Sequence, residues 1–203
     1  MPLLENVPGA TPIDDLSGLI PQHITTRSEL NEWEAANILK ASRKYLLEKR
    51  HLKTNVEGFK KLHKEMFDET WQWAGKFRTS NYNLGVDWHS IQEEMKALVD
   101  DILYWEKNQG GPAVFEQSVR LHHRLVKIHP FVNGNGRHAR LASDIFLFNK
   151  GCELPVWPDK DLIREGGIRK HYIDALKAAD PGDYGPLVKF ISGLMEQRSV
   201  RSK

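Results

Sequence analysis

Cysteine is nearly absent from this chain: Cys152 is the only one in 203 residues. No intrachain disulfide can form, so the fold must hold without covalent staples, and a reducing cytoplasm is the expected setting. Beside Gly151, Cys152 reads as a small apolar filler rather than a reactive thiol. Long apolar runs are also missing; no stretch approaches the roughly 20 residues of a membrane span. The start, Met1-Pro2-Leu3-Leu4-Glu5, has neither the basic residues nor the apolar stretch of a secretory signal. Net charge is scarce. A value of +2 gives no argument for direct nucleic-acid or membrane binding. There are nine histidines, yet no H-E-x-x-H and no paired Cys/His spacing of a zinc centre. His122 falls on an apolar helical stripe with Phe115, Val119 and Val126, which suits a satisfied core histidine.

What remains is an ordinary globular composition, 40% apolar and 28% charged, in a length that suits one domain. Residues 1–24 carry Pro2, Pro8, Pro12 and Pro21 with Gly9 and Gly18, and read as an extended arm ahead of a domain over 25–203. Thr26 followed by Glu29 is a capping-box signature that opens a helix expected to reach about Arg50. On it Leu30, Trp33, Ile38, Ala41 and Tyr45 share a face, with Glu34 and Asn37 in the middle. Further helices are expected over Val56–Phe67, Ile91–Lys107, Pro112 to Ile128 and Asn135–Lys150, with weaker ones near 160–178 and 186–198. Between Thr79 and His89, Tyr82, Leu84, Val86 and Trp88 alternate with turn formers, which predicts one short β-hairpin. The expected class is a compact all-α domain with one small β-hairpin.

The segment His129-Pro130-Phe131-Val132-Asn133-Gly134-Asn135-Gly136-Arg137-His138-Ala139-Arg140 concentrates the chemistry. Pro130 drives His129 out of the α region and ends the preceding helix with an imidazole at its mouth. Gly134 and Gly136 let backbone N–H groups approach a phosphate, and the next helix N-terminus adds free N–H groups and its dipole. Arg137 and Arg140 share a face one turn in, two guanidinium forks suited to a polyphosphate, and Asp144 is placed to hold Arg140. The loop is too short for a Walker A motif and lacks its Lys-Ser/Thr ending.

This segment resembles the Fic motif, HPF, any residue, an acid, then GNGR and a second arginine; Asn133 stands at the acidic position. Leu62-His63, the run Trp73-Ala74-Gly75-Lys76-Phe77-Arg78, the 79–89 segment and Gly182-Asp183-Tyr184 also look like Fic (Fido) domains. The N-terminal arm and Glu29-Leu30-Asn31-Glu32-Trp33-Glu34 resemble the mobile mystery protein B subfamily.

The resemblance implies a protein adenylyltransferase that moves AMP from ATP onto a Ser, Thr or Tyr hydroxyl of a target protein. His129 would be the general base. Asn133, Gly134, Asn135, Gly136, Arg137 and Arg140 would bind the nucleotide, with Phe131 in the same set although its residue type suits an anchor for the loop. The hairpin would be a flap registering the target through Asn81, Asn83, Gly85 and Val86. Keeping GNGR at Gly134–Arg137 favours nucleotidyl transfer over the phosphorylation of Doc-type relatives. Family members use Mg²⁺ held by the motif acid; here Asn133 offers only a neutral amide oxygen, which predicts weak metal placement and slow turnover. Fic proteins are often restrained by a glutamate paired with the second arginine, here Arg140. Glu29 and Glu196 are near-misses to that inhibitory pattern, and Glu34 is a third candidate because a carboxylate on an apolar face needs a partner; for Glu34 a structural ion pair or hydrogen bond inside the helix bundle is the favoured reading. The subfamily further implies a small helix-turn-helix partner in a toxin–antitoxin-like pair. The competing expectation is a catalytically weakened Fic-fold module that binds nucleotide and a partner.

Overall fold

The computed structural model describes residues 18–108, 111–163 and 166–201. Its elements are α1 (Arg27–Leu46), α2 (Val56–Phe67), α3 (Ile91–Lys107), α4 (Val114–Ile128), α5 (Asn135–Asn149), α6 (Asp159–Ile163), α7 (Gly167–Ala179) and α8 (Gly185–Arg201). The capping box forms as expected: Thr26 accepts from the Glu29 N–H and the Glu29 carboxylate accepts from the Thr26 N–H. At its far end α1 stops at Leu46 rather than Arg50. The Leu47 and Glu48 N–H groups both turn back to the Arg43 carbonyl, and Lys49 takes a positive φ of 54°. The expected helix over 160–178 is two helices, because Gly166 is fully extended ahead of α7.

One core runs through α1 to α5, from Leu30 and Tyr45 through Leu62, Met66 and Phe67 to Met95, Leu98, Leu125 and Ile145. A second gathers Leu162, Tyr172, Leu176, Leu187 and Ile191 of α6 to α8 around Val119 of α4. Helix α4 faces both cores, so its C-terminal end, where His129 sits, lies at their junction. Of the N-terminal arm, residues 1–17 lie outside the described residues. Its end pairs with the chain before the 79–89 segment: the Ile20 N–H donates to the Thr70 carbonyl and the Gln72 N–H to the Gly18 carbonyl.

The expected hairpin does not form. Among the described residues the only β-type pairings are isolated bridges, Leu19 with Trp71 and Phe77 with Phe131. Side chains satisfy the groups that a ladder would have paired. The Arg78 guanidinium donates to the carbonyls of Ser80, Val86 and His129. Asn81 accepts from the Trp88 N–H and donates to the Asp87 carboxylate. Segment 79–89 is therefore an irregular loop that straddles residues 128–131, with the Arg78 N–H on the Pro130 carbonyl and the Val86 N–H on the Ile128 carbonyl.

Candidate active site

His129 caps α4 in the left-handed region, at φ 52° and ψ 58°; the following proline bars the right-handed α region and by itself favours extended backbone, so the left-handed turn is a feature of this helix end rather than of the proline. Its ring is nine-tenths buried, and burial pushes its pKa down to about 4; the nearby Arg78 guanidinium pushes the same way, against a hydrogen bond to the Val126 carbonyl. At neutral pH the imidazole is neutral and able to accept a proton.

The loop after it is braced from below. Phe131 is fully buried and stacks on His63, with ring centroids 3.7 Å apart. The His63 Nε2–H donates to the Asn133 carbonyl at 3.0 Å while its Nδ1 accepts from the Gly75 N–H at 2.9 Å, which sets the tautomer. Asn135 clamps Phe131 reciprocally, accepting from its N–H and donating to its carbonyl, both at 2.9 Å. Two assignments change accordingly. Phe131 is an anchor and does not line the cleft, and the Asn135 side chain braces the loop rather than reaching for a phosphate.

The two motif glycines serve different ends. Gly134 caps α5 with φ 77°, and a Cβ there would meet the Phe67 ring at 2.5 Å. At Gly136 a Cβ would meet nothing closer than an Arg140 nitrogen at 3.7 Å. The fold itself therefore has no need of glycine at 136; the space is left for something else. Helix α5 starts without a side-chain cap, so its first N–H groups remain open to an anion.

These groups line a cleft of about 710 Å³. Besides His129, Asn133, Gly134, Asn135, Gly136, Arg137 and Arg140, it takes in Arg27 and Asn31 of α1, Leu84 and Gly85 of the loop, and Arg169, Tyr172, Leu176 and Lys177 of α7. Six cationic side chains, Arg27, Lys127, Arg137, Arg140, Arg169 and Lys177, face one carboxylate among the described residues, Asp180. A net charge of only +2 conceals this concentration.

The arginine partners differ from expectation. Arg137 is held by Glu34 at 2.6 Å, a carboxylate that also accepts from the Trp71 indole at 2.7 Å. Arg140 pairs with Asp159 at 3.0 Å, not with Asp144 or a restraining glutamate. Asp144 accepts instead from the Trp157 indole, and burial raises its pKa to about 7. Glu29 is occupied by the α1 cap, and Glu196 does not line the cleft. His122 is the core histidine its stripe predicted, fully buried with Nε2 2.8 Å from the Tyr172 hydroxyl.

A protein-held Mg²⁺ does not fit these donors. The Asn133 side-chain oxygen is committed to the Gly134 N–H, leaving the amide NH₂ as a donor, and Asp180, the one carboxylate among the described cleft residues, is engaged by His123 and Lys127.

Residues 53–147 match the Fic/DOC family model. The chain contains a Fic domain. Beyond the matched span, the whole arrangement has the Fic fold: it superposes on Fic-1 (residues 134–508) from Caenorhabditis elegans with a TM-score of 0.68 at 22% identity, covering 90% of this chain and 53% of that one. The BepC protein of Bartonella tribocorum, solved with bound AMPPNP, gives 0.65 at 18% identity, covering 88% of this chain and 92% of that one. In sequence, protein adenylyltransferase fic-1 of Caenorhabditis briggsae is 26% identical over 150 residues, 72% of this chain and 28% of the relative. The chain thus spans about a quarter of the length of such curated relatives. Its Fic motif brings His129, the glycine cradle and both arginines together as the spacing predicted. Arg27, Arg78, His63 and the α7 residues were not foreseen. For Arg27 a signal existed: Arg27, Asn31 and Glu34 fall at i, i+4 and i+7, one stripe of α1. No helix among the described residues is long and apolar enough to cross a membrane.

Proposed function

We propose that this Fic domain binds ATP and transfers its AMP part to a Ser, Thr or Tyr hydroxyl of a target protein. The observation that carries the reading is a buried, neutral His129 opening into the same cleft as the glycine cradle, Arg137 and Arg140. The target oxygen attacks the α-phosphorus, the bond from that phosphorus to the α,β-bridging oxygen breaks, and pyrophosphate leaves. His129 accepts the hydroxyl proton. The open N–H groups at the start of α5 and the two guanidinium groups stabilise the charge that moves onto the phosphate oxygens. Gly85 and its neighbour Leu84 line the cleft, and Asn81 and Asn83 are exposed on the same loop, which supports this loop as the place where a target segment would be registered. Adenylyltransferase activity in the named relatives supports the assignment, as does the AMPPNP-bound neighbour.

A second reading, a nucleotide-binding module with little turnover, is favoured by two observations: both motif arginines already hold carboxylates, and Asn133 stands where the acid is expected. The resemblance to the mobile mystery protein B subfamily supports a cytoplasmic toxin–antitoxin-like role with a small helix-turn-helix partner, in which either reading could operate. Incubation with α-labelled ATP and a lysate separates the two: labelled protein bands are expected with wild type and a loss of about a hundredfold to ten-thousandfold with His129→Ala. Equal labelling by the alanine variant would overturn the role of His129, and ATP binding without labelled bands would favour the module.

A further inference from the structure

Two features of the cleft set a problem of charge. Its glycine cradle is built for phosphate, and its wall supplies no carboxylate there to hold a metal ion. A nucleoside triphosphate carries about four negative charges at neutral pH, which sites of this kind usually share with Mg²⁺. Something else must meet that charge.

Helix α1 lies outside the span matched by the family model, and it brings Arg27 and Asn31 to the cleft from its first two turns. Glu34, seven residues or about 10 Å further along the same stripe, holds Arg137. The stripe therefore runs over the cradle, with Arg27 at its open end. Arg137 and Arg140 have carboxylate partners at 2.6 and 3.0 Å. The Arg27 guanidinium has no hydrogen bond or ion pair among the described residues, although the residue is partly buried. Burial and the neighbouring Arg137 charge both depress its pKa, and Glu34 offsets only part of this. A partly buried guanidinium set beside another is unfavourable in the empty cleft and becomes favourable once an anion enters between them.

We propose that Arg27 is a phosphate-binding residue of this cleft, and that the chain holds its nucleotide with guanidinium groups in the place a divalent cation would take. The inference rests on the nucleotide reading above. In the bound state Arg27 and the Asn133 NH₂ add donors to those of Arg137 and Arg140, and the triphosphate is neutralised without a metal.

The test is calorimetric titration of the full chain with ATP, in Mg²⁺ and in EDTA, for wild type, Arg27→Gln and Arg27→Lys, with adenosine as the phosphate-free control and thermal unfolding as the control for folding. Wild type is expected to bind ATP in EDTA within about threefold of its affinity in Mg²⁺. Arg27→Gln is expected to weaken ATP in EDTA by about tenfold or more, with adenosine within about twofold of wild type. Lysine should recover part of the loss as a point charge. Wild-type binding that vanishes in EDTA overturns the proposal, as does Arg27→Gln binding ATP like wild type, or losing ATP and adenosine equally. Absence of ATP binding by wild type in both conditions overturns the nucleotide reading along with it.

Discussion

At the scale of single residues, the two glycines of the cradle separate fold from function. Gly134→Ala must force a left-handed backbone on a residue with a Cβ and push that Cβ into Phe67. It is expected to cost about 1–3 kcal/mol of stability, read as a lower urea midpoint. Gly136→Ala meets no such obstacle and gains helix propensity, so its midpoint should be unchanged or slightly higher. Labelling by Gly136→Ala should nevertheless fall at least tenfold, because the methyl group occupies space reserved for the ligand. A destabilised Gly136→Ala variant, or one that labels normally, contradicts this division. Asn133→Asp probes the next position: its carboxylate should make Mg²⁺ raise AMP transfer more steeply than in wild type. Fast, steeply Mg²⁺-dependent transfer by wild type, unimproved by the aspartate, would refute the account of Asn133.

At the scale of elements, α1 is both a brace and a competitor. Its Glu34 is 2% exposed, bonded to the Trp71 indole of the core and to Arg137 of the cleft. On the proposed nucleotide reading, a phosphate that needs Arg137 must contend with this carboxylate, so α1 is expected to restrain binding while it completes the helical pack. Glu34→Gln can still accept from Trp71 but releases the charge on Arg137. Labelling is expected to rise several-fold with a modest loss of thermal stability. A purely structural Glu34 predicts the opposite pair, a lower melting temperature with labelling unchanged. Glu29→Gln should weaken only the α1 cap, by about 1 kcal/mol, and Glu196→Gln should change neither measurement. The 79–89 loop shows the same dependence on one side chain, since Arg78 joins its carbonyls to that of His129.

At the scale of the whole molecule, burial of titratable groups sets the response to acid. Burial is the leading cause that lowers the pKa of five histidines: His63 well down, His122 to about 3, His129 and His138 to about 4, and His123 against the pull of Asp180. Below about pH 6.5 the unfolded chain takes up protons that these rings in the fold refuse, so stability falls as pH drops toward 4. Asp144 acts with the opposite sign. Its carboxyl is protonated in the fold up to about pH 7, but in the unfolded chain only below about pH 3.9, so acidification favours the fold at that site. Each proton is worth about 1.4 kcal/mol per pH unit over its window, and five rings outweigh one carboxyl. Melting temperature is expected to decline steadily from pH 6.5 to 4.5. A constant or rising melting temperature over that range would show that the histidines are not held neutral.

The 129–140 segment was legible because its geometry is local. A proline, two glycines and a helix start impose a shape within a few residues, and the arginines follow by helical phase. Helices α2 and α3 were legible for the same reason, their apolar spacing being a property of contiguous chain. The hairpin was misread because alternation of side chains does not fix where backbone groups find partners, and Arg78 supplied those from outside the segment. Asp144 failed as the partner of Arg140 because a loop 13 residues on laid Trp157 against it. The pairing of Glu34 with Arg137 spans 103 residues, and Arg27 reaches the cleft only because α1 packs across the α2–α5 core. The sequence by itself determined the glycine cradle and the place of His129 beside it, which chain connectivity builds; the tertiary structure decided which charges meet there, since ion pairs between distant helices depend on packing that no local pattern encodes.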